Sequence, residues 1–168
     1  FDDPIIDIAI TPDRADCLGV RGIARDLAAA GLGKLKPLDT SPVKTTFKSP
    51  IDWRVDLPDM DPPLAPLVVG RYFKGVKNGP SPNWLKERLQ AVGLRPISAL
   101  VDITNYVMMD VGRPLHAYDA DKVEGDIFIR LAKDGEKYTA LDGKEYVFDE
   151  EMIVIGDCLL YTSDAADE

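Results

Sequence analysis

LRPISALVDITNYVMMDVGRPLHAYD, residues 94–119, decides how the chain is read. Its apolar run is interrupted by Arg95, Asp102, Thr104, Asn105, Arg113 and His116, the chain's one histidine. Polar groups set into an apolar segment need partners or a ligand, because an unpaired buried one costs about 1–3 kcal/mol. The pattern predicts a short helix over part of 98–109. Just upstream, Pro80-Ser81-Pro82 introduces another helix, with Ser81 as N-cap and Pro82 at the first helical position. Trp84, Leu85, Leu89 and Val92 recur there at helical spacing, and Gly93 ends the pattern.

Strand signals lie on both sides of these helices. Downstream they fall near Ile127–Leu131, Tyr138–Leu141, Tyr146–Phe148 and Ile153–Ile155, with Asp142-Gly143 as a type I′ hairpin signal between two of them. Upstream, Leu67–Lys74 reads as a strand with Val69, Arg71 and Phe73 on one side and Val68, Gly70 and Tyr72 on the other. Pro37, Pro42, Pro50, Pro58, Pro62, Pro63 and Pro66 fall within 35–66. Proline removes a donor and fixes φ, so this stretch reads as a linker and edge-strand region with a domain boundary near Pro42.

At the N-terminal side Ile6, Ile8 and Ile10 alternate with Asp7 and Ala9, which predicts a strand that Thr11-Pro12-Asp13 breaks. Asp16 is then placed as N-cap of a helix with Val20, Ile23, Ala24, Leu27 and Ala28 on its apolar face, ending at Gly31 or Gly33. Strands, then helices, then strands point to an α+β fold with mixed or antiparallel sheets rather than a repeating βαβ unit. There is no internal repeat and no glycine-rich phosphate loop.

A chain of 168 residues, 45% apolar and 29% charged, can bury a real core and fits a globular protein. No apolar run approaches the ~20 residues that span a bilayer, and no basic stretch precedes an apolar one as in a secretory signal. The chain starts at Phe1 within a strand-like pattern, so we expect a piece of a longer protein. Cys17 and Cys158 form no framework and show no metal-ligand spacing, which reads as two reduced thiols. A net charge of −9 argues against non-specific nucleic-acid binding by the whole surface. A local site touching only an RNA end stays compatible with it. Cys158 to Glu168 shows neither a helix nor a strand pattern and reads as a foreign tail.

A lone His is more often structural than catalytic. No Ser or Cys nucleophile motif lies near His116, which disfavours a triad, and Asp119 alone adds too few ligands for a metal. Thr104 and Asn105 read by default as helix-terminus or turn residues. Arg95 reads as a surface ion-pair partner, and Asp102 as a structural acceptor rather than a base.

The wording RPIS-x-x-VDITNYVM followed by GRPLHAYD closely resembles the editing module of the β chain of bacterial phenylalanyl-tRNA synthetase. TPDRADCLGVRGIARDL, residues 11–27, resembles the strand–turn–helix just upstream of that module, with Asp13 where the family usually has Asn. Either residue closes an Asx-type turn. The resemblance implies three parts: 1–41 as a strand–helix remnant of the preceding domain with the start of a linker, 42–157 as the editing module, and 158–168 as the tail. It implies that His116 contacts the aminoacyl end of mischarged tRNA and that Thr104 and Asn105 line the same pocket, the three being the catalytic set. Arg95 and Pro114 would be substrate-binding, Arg95 toward a phosphate or carbonyl and Pro114 as pocket wall.

Three departures qualify the match. Ser98 and Ala99 stand where the family often has Asn at one or both positions, and Tyr118 stands where Phe is frequent. The family's downstream glycine-rich loop and its tyrosine-reading glutamate are not reached. The implied activity is hydrolysis of tyrosyl-tRNA(Phe), with the tRNA 3′ end and the synthetase α chain as partners in an α2β2 assembly in the cytoplasm. No cofactor or metal is expected here; ATP and Mg²⁺ belong to the whole synthetase. The alternatives are a non-catalytic scaffold that binds tRNA and the α chain, or a free-standing aminoacyl-tRNA deacylase. The helix beginning near Asp16 argues against the latter, since it resembles β-chain sequence outside the module.

Overall fold

Leu85 and Leu89, one helical turn apart, are each 2% exposed and form the most deeply buried apolar pair among the described residues. Full burial of such a side chain is worth about 1.5–3 kcal/mol. They belong to helix α2, Asn83–Ala91, which packs on helix α3, Ala99–Val111. The computed structural model describes residues 4–140 and 143–157. Its fold is α+β, with three α-helices and two small sheets among the described residues.

The chain groups into two compact units. Among the described residues one joins 4–44 with Lys77–Ala117, and the other joins Thr45–Val76 with 118–140 and 143–157. The first holds a 3₁₀ turn, Ala15–Cys17, helix α1, Val20–Ala29, and helices α2 and α3. Both α1 and α2 stop in the same way. Leu32 N–H donates to the Leu27 carbonyl and Leu94 N–H to that of Leu89, around Gly31 at φ 77° and Gly93 at φ 83°. These are Schellman caps, which need a left-handed residue at that position.

In the second unit the central strand is β2, Ile127–Leu131, flanked by β1, Trp53–Asp56, in parallel and by β5, Ile153–Gly156, antiparallel. Ile127 and Ile129 are buried in period-two register, with Val154 buried on β5. Strand β1 lies at the sheet edge, within the proline-rich stretch read as linker and edge strand. Strands β3, Lys137–Thr139, and β4, Glu145–Val147, pair as a hairpin with Tyr138 opposite Tyr146. Ala140 N–H donates to the Lys144 carbonyl, Gly143 N–H donates to the Ala140 carbonyl, and Gly143 sits at φ 75°. The Asp142 half of the predicted turn and the tail from Cys158 lie outside the described residues.

Four expectations need correction. Residues 5–10 form no strand, and Ile5, Ile6 and Ile8 are 67%, 79% and 45% exposed. Alternation makes a strand only when a neighbouring strand takes up the backbone N–H and C=O groups, and none of the described residues does so. Leu67–Lys74 also lacks a ladder, yet its alternation survives as exposed Leu67, Val69 and Phe73 against half-buried Val68 and Tyr72. Asp16 does not cap α1. Gly19 holds that position, and the Asp16 carboxylate accepts from Arg14 and Arg25 instead. Ser81 does not cap α2, whose N-cap is Pro82 with its carbonyl accepting from Leu85 N–H. In both cases a stronger partner, an arginine or a buried carboxylate, captures the side chain.

Candidate functional site

Helix α3 begins in a dense set of hydrogen bonds. Ala99 N–H donates to the Gly79 carbonyl at 2.7 Å, and Leu100 N–H donates to Asn78 Oδ1 at 3.2 Å. Asn78 Nδ2 donates to Ser98 Oγ at 3.1 Å. Two of the four amides that a helix start leaves unpaired are thus satisfied by a loop about twenty positions earlier. Ser98, the formal N-cap residue, makes no side-chain cap bond of its own.

One turn further, Asp102 is fully buried, its side chain accepting from the Ser81 hydroxyl at 2.5 Å and from Ile97 N–H at 2.9 Å. Two carboxylate oxygens therefore fasten α3 to the residue ahead of α2 and to the connection between the helices. Asp102 is the structural acceptor that its apolar setting suggested. Asn78 and Gly79 were not singled out from sequence. Their signal was the Asn-Gly-Pro-Ser-Pro turn cluster, in which Ser81 and Pro82 drew the attention.

At its other end α3 stops at Gly112, in the left-handed region at φ 70° with its N–H on the Met108 carbonyl. The backbone of Gly19, ahead of α1, lies directly against it. The segment carrying Pro114 and His116 leaves from this point.

Thr104 and Asn105 occupy successive positions of α3, both half-buried. Successive helical residues diverge by about 100°, so Thr104 shares a side with Val101 and Met108, and Asn105 shares one with Asp102 and Met109. Thr104 Oγ1 donates to the Val101 carbonyl at 2.7 Å, leaving its lone pairs able to accept. The Asn105 amide has no hydrogen-bond partner among the described residues. Arg95 lies exposed in the connection before α3, without an ion pair among the described residues, so the surface ion-pair role is not taken up. Pro114 and His116 are exposed in the connection after α3. The five residues thus belong to one unit, with Thr104 and Asn105 on neighbouring sides of α3, Arg95 in the connection before it and Pro114 and His116 in the one after it.

Near α1 Arg14 and Arg25 form a surface network of ion pairs with Asp16 and Asp26. Arg14 and Arg25, donating side-chain hydrogen bonds, keep the Asp16 carboxyl well below the usual carboxylate range, and Arg14 does the same for Asp26. Burial pushes the Cys17 thiol up, so it is not a ready nucleophile. Asp16, Cys17 and Asp26 place ligand-type atoms within 4.8 Å of one another, but two guanidinium groups already occupy the carboxylates. Among the described residues no helix is long and apolar enough to cross a membrane.

Comparison with known proteins adds the family. A model of the B3/4 domain matches residues 64–160. The chain is 59% identical over 155 residues to a phenylalanine–tRNA ligase β subunit of Paramagnetospirillum magneticum, covering 92% of this chain and 19% of that protein. It is 53% identical over 157 residues to that of Gluconobacter oxydans (94% and 18%) and 55% identical over 157 residues to that of Brucella melitensis (94% and 19%). The chain spans about a fifth of the length of the curated relatives it matches.

Proposed function

The chain belongs to the B3/4 domain family, and on that premise we propose that it is editing-module sequence of a phenylalanine–tRNA ligase β subunit, with 42–157 as the module. Its substrate is tyrosine esterified to tRNA(Phe), and its partners are the tRNA 3′ end and the ligase α chain of an α2β2 enzyme in the cytoplasm. ATP and Mg²⁺ serve aminoacylation in that whole enzyme and are not used by this segment.

The need for such a step is physical. A largely apolar pocket rejects an added hydroxyl by only about 10²-fold, so tyrosine passes too often for phenylalanine. Hydrolysis corrects the error. Water oxygen adds to the ester carbonyl carbon, the bond from that carbon to the ribose oxygen breaks, and the ribose oxygen takes a proton. Free tyrosine and uncharged tRNA result. An aminoacyl ester is already activated, so orientation and polarisation suffice without a covalent intermediate.

The observation that carries this reading is the unpartnered polar edge of α3. The half-buried Asn105 amide has no protein partner among the described residues, and Thr104 beside it keeps acceptor capacity on a helix pinned at both ends. In the proposal Thr104 and Asn105 hold the aminoacyl group, straddling the ridge between their side chains. His116 positions the ribose end and the water, Arg95 takes a phosphate or the carbonyl, and Pro114 forms wall. The scaffold alternative draws on the apolar side chains left outside, Val20 at 63% and Leu27 at 49% exposure on α1, which suit packing against further protein.

The test replaces His116 by Ala in a full-length β chain carrying this sequence, assembled with its α chain. Hydrolysis of tyrosyl-tRNA(Phe) is expected to slow while phenylalanine charging is unchanged. Normal tyrosine clearance by that variant, with the fold intact, refutes the role given to His116. Clearance that also survives changes at Thr104 and Asn105 leaves the scaffold reading in its place.

A further inference from the structure

Helices α2 and α3 present an aromatic and cationic face that the hydrolytic reading does not use. Trp84 and Arg88 stand one turn apart on α2, on the flank beside the buried Leu85 and Leu89. The Arg88 guanidinium lies 5.8 Å from the Trp84 ring centroid and 5.9 Å from that of Tyr106 on α3. It also donates to the Tyr106 hydroxyl at 2.8 Å. Trp84 and Tyr106 meet edge to face, with centroids 5.6 Å apart. Three large side chains are thereby held in fixed relation. Yet Trp84 is 52% exposed, and its indole N–H has no acceptor among the described residues.

We propose that the Trp84–Arg88–Tyr106 face is a docking site for single-stranded RNA, with an unpaired base stacking on Trp84 and a neighbouring phosphate on Arg88. Base stacking on an aromatic face tolerates any sequence, and a guanidinium held at the rim supplies the phosphate contact. The hydrogen bond to Tyr106 uses one of the five N–H donors of Arg88, so donors remain for a ligand. The charge of the stretch that carries this face suits an anionic ligand. From Lys77 to Ala117, Lys77, Lys86, Arg88, Arg95 and Arg113 outnumber Glu87, Asp102 and Asp110, and Asp102 is buried on its own partners. This excess of cations stands in a chain of net charge −9. The inference goes beyond ester hydrolysis and does not depend on it.

The test uses the 168-residue chain with Trp53→Phe, so that Trp84 is the sole tryptophan. A labelled RNA hexamer without secondary structure and an RNA duplex of the same length are titrated at low salt. Anisotropy and Trp84 fluorescence are both read. The single strand is expected to bind and to quench Trp84, with the duplex weaker. Trp84→Ala should weaken binding by about 5- to 150-fold, the range of one base–aromatic stack. Trp84→Phe should keep most of the affinity, and Arg88→Met should lower it and reduce the salt slope by about 1. Should Trp84→Ala fail to fold by circular dichroism, the Trp84→Phe and Arg88→Met comparisons decide. Equal binding of duplex and single strand, unaltered affinity in the variants, or no RNA binding overturns the proposal. So does self-association lost with Trp84 in the absence of RNA binding, which would make this face a protein contact.

Discussion

Gly19 meets Gly112 backbone to backbone. A Cβ on Gly19 would stand 2.5 Å from the Gly112 nitrogen and 3.1 Å from its Cα. The obstacle is main chain at a helix C-cap, which cannot turn aside as a flexible side chain would. Gly19→Ala should therefore destabilise the protein by about 1–3 kcal/mol, the usual range for overpacking. Gly33→Ala is the control, because nothing lies within 4 Å of a Cβ there and no left-handed φ is required. It should be neutral or slightly stabilising. Urea unfolding of the two variants checks the contrast, and equal midpoints would contradict the close approach.

Asp102 is the second structural anchor, and its chemistry separates two substitutions. Asp102→Ala strands the Ser81 hydroxyl and the Ile97 amide in a buried place, a loss of about 1–3 kcal/mol for each group left unpaired. Asp102→Asn keeps one oxygen for Ile97 and offers Ser81 an N–H, to which the hydroxyl can turn as acceptor. The Asn variant should thus retain much more stability than the Ala variant in thermal unfolding. Equivalent losses in both would mean that the negative charge, rather than the bonding pattern, matters.

Much of this was legible in the sequence because it is local. The helix pattern of Leu85 and Leu89, the Gly93 stop and the β2 alternation of Ile127 and Ile129 are all written within a few residues. Other features depend on partners distant in sequence. Ser81 is a good N-cap by type, but a buried carboxylate 21 positions later takes its hydroxyl. Asp16 is instead taken by arginines close to it in sequence, Arg14 and Arg25, whose charge outcompetes a cap, and Ile6, Ile8 and Ile10 alternate without a neighbouring strand among the described residues. For the site, sequence named the residues through a family resemblance. It could not say that Asn78 and Gly79 fasten the start of the helix that carries Thr104 and Asn105.

Glu136 makes stability depend on pH in a predictable sense. Arg130 grips its carboxylate with two hydrogen bonds of 2.6 and 3.0 Å, and Lys133 N–H adds a third at 2.7 Å. The Arg130 hydrogen bonds first of all hold the Glu136 carboxyl below its ordinary range. A depressed carboxyl stabilises the fold above the unfolded-chain pKa of about 4.3 and loses that contribution as pH falls through the folded value. Asp126, held down by Asp52 N–H and then Arg54, acts with the same sign. Glu136→Gln should cost about 1.5–3 kcal/mol at pH 7 and flatten the fall in stability below about pH 5. An unchanged acid slope in that variant would remove Glu136 from the account.

The boundary proposed near Pro42 can be probed directly. Residues 29–48 are exposed throughout and contain no helix or strand beyond the end of α1. Lys34, Lys36, Lys44 and Lys48 lie within that stretch. Brief trypsin treatment should cut after Lys34, Lys44 and Lys48 (the Lys36–Pro37 bond resists trypsin) before Lys86 or Arg88, which sit on α2 with its buried leucine face. Early cleavage inside α2, with the lysines from 34 to 48 intact, would reverse the assignment.

Thr104 distinguishes a ligand-binding hydroxyl from a helix-bound one. Its Oγ1–H donates back to the Val101 carbonyl, a bond within one turn that isolated helices form without needing it. Thr104→Val keeps the shape and removes the hydroxyl, so folding stability should change by less than about 1 kcal/mol. In a full-length β chain with its α chain, the same variant should slow tyrosyl-tRNA(Phe) hydrolysis by about tenfold or more, as expected when a ligand loses one hydrogen bond worth 1.5–3 kcal/mol. Thr104→Ser, which restores the hydroxyl, should recover most of that rate. A Val variant that loses stability yet hydrolyses normally would place the hydroxyl with the helix and leave Asn105, whose amide has no partner among the described residues, to hold the ester alone.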